Sequence, residues 1–225
     1  MTVTGAQPAA RLAEVLADAT TARQRVRAFW GITANPAITV LVPRTVEQFQ
    51  AAGGNGDGSS VAATALDGGR VVLSPQLFER VDRPGRLVVL THELTHVLLG
   101  QTGLRDVPDW VVEGSAEVTA YDGTRLPFAR IAPDLAARVR QGRLPSGPPA
   151  DAAFAAANPQ PAYGEAWAWC GFLVTRFGRA AFTGFVRAVD GAGTASGTTA
   201  AFRRAFGAEP AGLTGAYQAY LRGKR

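Results

Sequence analysis

A single cysteine among 225 residues, Cys170, excludes any intramolecular disulfide. It lies in "AWAWCGF", the surroundings of a small buried hydrophobe and not of a nucleophile. Only two histidines are present, His92 and His96, so no site can rest on three imidazoles. No stretch of about 18 apolar residues occurs, which excludes a membrane-spanning helix. The first thirty residues lack an apolar core and are broken by Arg, Glu and Asp, so no secretory signal is read there. As it stands, the sequence reads as a soluble cytoplasmic protein, or as an exported one if an upstream segment is missing. Runs of Lys and Arg are absent too. The net charge is +5, but the arginines are scattered singly and no basic segment interleaves with aromatics, so no nucleic-acid partner is expected.

What is present is a globular composition, 47% hydrophobic and 18% charged, enough for one sizeable core or for two lobes. The first thirty residues read as a helix, with Leu12, Val15, Leu16 and Ala19 on one stripe. "AITVLVP" (37–43) reads as a strand ending at proline, and Thr45 as the cap of a short helix through "VEQFQAA". "GGNGDGSS" (53–60) reads as a mobile loop. "VAATAL" (61–66) and "RVVLS" (70–74), joined by "DGG", read as a hairpin. From Asp82 the pattern turns helical. "DRPG" supplies an N-cap with proline in the first turn, and Gly100 supplies a stop. A second helix starts near Asp109, and "PFARIAPDLAARVRQG" is further helix interrupted at Pro133. A proline-rich connector (143–161) precedes helices at 162–178, 179–190, 197–206 and 211–222. The expected class is α+β: a sheet lobe over about 30–81, helices over 82–121 and a helical lobe over 122–225.

The helix expected over 82–100 carries "THELTH", with His92 and His96 four apart and Glu93 after the first. Four residues is one helical turn, so both imidazoles share a face and can give one nitrogen each to a zinc ion. Glu93 projects about 100° further round, where a carboxylate can move a proton to or from water at such an ion. Two histidines and eight glutamates placed at random give this pattern about once in 3,000 arrangements. Leu87, Leu90, Leu94, Val97 and Leu98 form the stripe expected to bury the helix. His92 and His96 share another stripe with Val88 and Leu99.

A catalytic zinc needs a third protein ligand, and no third histidine exists, so the ligand is a carboxylate. This removes the H-E-x-x-H-x-x-G-x-x-H class, and with Met1 as the only methionine its Met-turn is absent as well. Glu113 and Glu117 in "PDWVVEGSAEVTAY" (108–121) stand four apart on the second helix. One can bind the metal while the other accepts a hydrogen bond from the far nitrogen of a histidine ligand.

"HELTH" followed by "WVVEGSAE" resembles the gluzincins, zinc peptidases with a two-histidine, one-glutamate ligand set. It is most similar to the bacterial peptidase-MA-like domains. The resemblance is specific over 85–121 and looser over about 60–222. It implies a zincin-like fold as a single catalytic domain over 1–225, with His92, His96 and Glu113 as ligands and Glu93 as general base. It also implies Glu117 as the acid that orients a ligand histidine. The 16 residues between His96 and Glu113 are slightly fewer than in aminopeptidase-type members, and the G-x-M-E-N segment of those enzymes is missing. Aminopeptidase activity is therefore not implied.

Hydrolysis also needs a donor for the developing oxyanion. Tyr163, at a helix start after the proline-rich connector, is the first candidate, since related domains carry a tyrosine in such a segment. Packing on Trp167 is its plainer role. Tyr121 is the second candidate, and Trp110, Trp167 and Trp169 are expected in the core. Zincins commonly hold an extended peptide along an edge strand, for which "VAATAL" and "RVVLS" are the choices. The expected function is zinc-dependent hydrolysis of peptide bonds in a peptide or protein substrate, endo or exo left open and a monomer assumed. A zincin-fold module that binds peptide or protein with little turnover is the alternative.

Overall fold

The computed structural model describes residues 1–56, 61–104, 106–192 and 194–224. Of the Gly-rich stretch expected as a loop, residues 57–60 lie outside the described ones. The chain divides into two compact units, Met1–Gly103 and Leu104–Arg225. The first holds a small mixed sheet with helices and the second is helical, which is the α+β class expected. Among the described residues no helix is long and apolar enough to cross a membrane.

The first unit opens with strand β1 (Thr2–Gly5), then α1 (Ala9–Trp30), β2 (Thr39–Val42), α2 (Val46–Ala51), β3 (Ala63–Leu66), β4 (Arg70–Leu73), α3 (Leu77–Arg80) and α4 (Arg83–Leu99). The sheet order is β1-β2-β4-β3. β1 runs parallel to β2, and β2 parallel to β4, while β3 and β4 form the antiparallel hairpin expected from "DGG". Gly68 and Gly69 both take positive φ in its turn, and a Cβ on Gly69 would stand 2.6 Å from the Ala37 carbonyl oxygen. β4 is flanked on both sides, and Val71, Val72 and Leu73 are all buried, as a central strand requires. "RVVLS" is therefore no sheet edge. Of the two strands considered for peptide pairing, only β3 lies at the edge of the sheet among the described residues.

The N-terminus corrects the expectation of helix from the first residue. Four residues are too few for a period to show, and β1 exists through its pairing with β2, beginning with the Thr2 amide on the Ile38 carbonyl at 2.8 Å. α1 is also turned from the expected stripe. It buries Val15, Asp18, Ala19, Ala22, Val26, Phe29 and Trp30, whereas Leu16 is 41% exposed. The reason is Asp18. Its carboxylate accepts hydrogen bonds from Arg83 at 2.8 Å and from the buried Arg86 at 3.2 Å, both on α4, and Arg86 also pairs with Glu14. An acid only 1% exposed can be buried there because two guanidinium groups meet it.

α4 begins as its sequence dictates: Asp82 accepts the Gly85 amide at 2.9 Å, with Pro84 in the first turn. It packs on α1 and on the β3–β4 hairpin. Leu90 and Leu94 are fully buried, and Leu87, Val97 and Leu98 partly so. Thr91 and Thr95 are fully buried as well, each donating its hydroxyl to the carbonyl four residues back, at 2.6 and 2.7 Å.

The second unit contains α5 (Asp109–Ala120), α6 (Phe128–Ile131), α7 (Pro133–Arg140), α8 (Asp151–Phe154), α9 (Gln160–Phe177), α10 (Arg179–Ala192), α11 (Ala195–Phe206) and α12 (Thr214–Arg222), the last after a 3₁₀ turn at Pro210–Leu213. The proline-rich connector is not structureless: it holds α8, and the Asp151 carboxylate accepts the Asp109 amide at the start of α5 at 3.0 Å. The core is aromatic. Trp110 stacks on Phe185 at 5.8 Å and meets Trp169 edge-on, and Trp169 meets Tyr217 edge-on at 4.8 Å. Trp110 and Trp169 are buried as expected, while Trp167 is only half-buried, against Tyr121 and Phe128. Cys170 is fully buried, and burial pushes its thiol well above the usual range, so it is no nucleophile.

α5 lies tightly on α9 because Gly114 presents no side chain. A Cβ there would stand 2.6 Å from Cys170 Sγ and 3.1 Å from the Ala166 carbonyl oxygen. Gly114→Ala is expected to cost about 1–3 kcal/mol through overpacking, despite alanine's better helix propensity. Urea denaturation of the two proteins checks this, and an Ala variant as stable as wild type would show that the two helices can part without loss.

Candidate metal centre

The two histidines owe their placement to α4. His92 is half-buried and His96 is 8% exposed, and their rings meet nearly at right angles with centroids 4.8 Å apart. Their Nε2 atoms are 3.0 Å apart. Two nitrogens bound at about 2.0–2.1 Å to one tetrahedral ion would stand about 3.3 Å apart, so the pair needs little adjustment to share one. Glu93, half-buried, follows His92 on the same helix.

The end of α4 adds a contact that the sequence reading did not anticipate. Gly100 takes φ of 70°, its amide bonds the Val97 carbonyl at 3.3 Å, and the Gln101 amide bonds the His96 carbonyl at 2.9 Å. These two bonds make a Schellman turn. Such turns bring together the side chains of the two residues joined by the outer bond, ordinarily apolar ones. Here those residues are His96 and Gln101, and His96 Nδ1 meets the Gln101 amide oxygen at 3.2 Å, with both side chains buried. Gly100 was expected as the stop, and the residue after it is the signal that could have pointed to this contact.

On α5 the less buried face carries Asp109, Val112, Glu113, Glu117 and Tyr121, while Trp110, Val111, Gly114, Ser115 and Ala116 are buried. Glu113 and Glu117 thus share a face, as their spacing of four required. Burial raises the Asp109 carboxyl above its ordinary value, and the charges of Asp151 and then Glu113 add to it. Tyr121 ends the helix with its ring edge-on to Trp167 at 6.1 Å. Its phenol is pushed up to about 12, first by burial and then by Glu117, so it keeps its proton at neutral pH. Tyr163 sits in the first turn of α9, edge-on to Phe154 at 5.5 Å.

Of the residues singled out in the sequence, His92, His96 and Glu113 come together. Each offers one ligand atom, and the three atoms lie within 4.8 Å of one another. Two imidazole nitrogens and one carboxylate oxygen are a donor set suited to zinc, so the residues fit the ion. The group is capable of chelating a metal.

No family model matches the chain, and no curated protein is similar to it.

Proposed function

We propose that the chain is a zinc-dependent metallopeptidase of the gluzincin type, a single zincin-like catalytic domain that hydrolyses peptide bonds. The observation that carries this reading is the His92, His96 and Glu113 ligand group with Glu93 next to the first ligand on the same helix. His92, His96 and Glu113 would hold the ion, two imidazole nitrogens and one anionic oxygen. Bound there, zinc would supply Lewis acidity toward a carbonyl and toward water.

The remaining work falls to the protein's own groups. The Glu93 carboxylate takes the proton from the attacking water and returns it to the departing amine nitrogen. A tyrosine hydroxyl, that of Tyr163 or else Tyr121, donates a hydrogen bond to the developing oxyanion. Glu117 accepts a hydrogen bond from a ligand histidine and fixes its ring. The edge strand β3 holds the substrate in extended form by main-chain hydrogen bonds.

The purified protein is expected to carry one zinc per chain and to cleave members of a broad peptide library, with activity lost to a chelator and restored by zinc. Metal analysis with mass-spectrometric product detection checks this. One zinc per chain with every peptide left intact would replace the peptidase with a peptide-binding module. Absence of stoichiometric zinc would overturn both.

A further inference from the structure

We infer that Gln101 is a positioning residue for the metal centre: its buried amide oxygen holds the proton of His96 on Nδ1 and so puts the lone pair that an ion would take on Nε2. The inference rests on the metal-site reading above and deepens it. A neutral imidazole carries one N–H, and the partner of one nitrogen decides which nitrogen has the lone pair. His96 Nδ1 stands 3.2 Å from the Gln101 amide oxygen, an acceptor, so Nδ1 is the donor. His96 Nε2, on the far side of the ring, faces His92 Nε2 at 3.0 Å, and with the proton on Nδ1 it is the acceptor of that contact in the metal-free protein.

The hold is built into the chain ending of the helix. The Gln101 amide bonds the His96 carbonyl at 2.9 Å, so one residue grips both the backbone and the ring of the other. Gln101 is 4% exposed, which keeps water from taking over the contact. Because the turn needs positive φ at Gly100, the register of Gln101 on His96 is fixed by backbone geometry. A neutral amide fixes the tautomer without placing a second negative charge at the ring. The group's charge then comes from Glu113 alone among its three members.

The test compares wild type, Gln101→Leu and Gln101→Glu by two readouts, neither of which is activity. Nitrogen-15 spectra of the metal-free proteins report which ring nitrogen of His96 is protonated. Chelator competition reports zinc affinity. Wild type is expected with its His96 proton on Nδ1. Gln101→Leu is expected to lose that preference and to bind zinc about 10–100-fold more weakly. Gln101→Glu, still an acceptor, is expected to keep the tautomer and to bind zinc at least as tightly as wild type.

A wild-type His96 protonated on Nε2 would overturn the inference, and this reading stands even if Gln101→Leu does not fold. So would a folded Gln101→Leu with unchanged tautomer and zinc affinity within about twofold of wild type, against the 10–100-fold expected. Wild type that binds no zinc, yet loses its tautomer preference in Gln101→Leu, would refute the metal reading and uphold the hold of Gln101 on His96.

Discussion

Glu93→Gln is expected to leave zinc at one ion per chain while lowering peptide cleavage about 10²–10⁴-fold, the usual contribution of a general base. Gln is nearly isosteric with Glu and keeps a hydrogen-bonding head, but it cannot take a proton from water. Glu93 is not one of the three residues grouped to hold a metal, so an ion bound there would have no reason to leave. The loss belongs in kcat, with KM little changed, because the proton moves only as the water attacks. Steady-state kinetics on a library-derived peptide, with metal analysis of the same samples, decide it. A variant that retains more than a tenth of wild-type kcat, well outside that range, would remove Glu93 from the reaction.

Asp18→Ala is expected to destabilise the Met1–Gly103 unit by about 3–5 kcal/mol, the cost of breaking a buried ion pair from one side. The variant leaves Arg86, with a side chain only 7% exposed, to rely on Glu14, itself 41% exposed. Asp18→Ala combined with Arg86→Met should recover much of that loss, since an apolar pair needs no charge compensation. Hydrogen exchange resolved along α1 and α4 reads both variants. Equal loss in the single and the double variant would show that Asp18 acts by packing and not by its charge. Arg86 lies six residues before His92 on α4, the helix that carries both histidines.

The sequence was most legible where chemistry is local. Asp82, Pro84 and Gly100 bound α4 because caps and left-handed stops act within a turn of the chain. The spacing of His92 and His96, and of Glu113 and Glu117, translates directly into shared helix faces. The features that escaped depend on partners distant in sequence. β1 is a strand only because β2 lies beside it. The burial of Asp18 depends on arginines 65 and 68 residues away. The interior position of β4 follows from a parallel crossover that no hairpin signal encodes. Gln101 lies between these cases, since its turn was readable and its contact with His96 became visible only in the folded geometry.

β1 also bears on how the protein behaves in solution. It is four residues long and covers the full length of β2, which without it would present an unpaired row of backbone amides and carbonyls over Thr39–Val42. "TVLV" is rich in β-branched residues, uncharged and free of proline, the kind of segment that recruits strands from other molecules. A short and mostly exposed N-terminal strand thus keeps the backbone of this segment paired within the molecule.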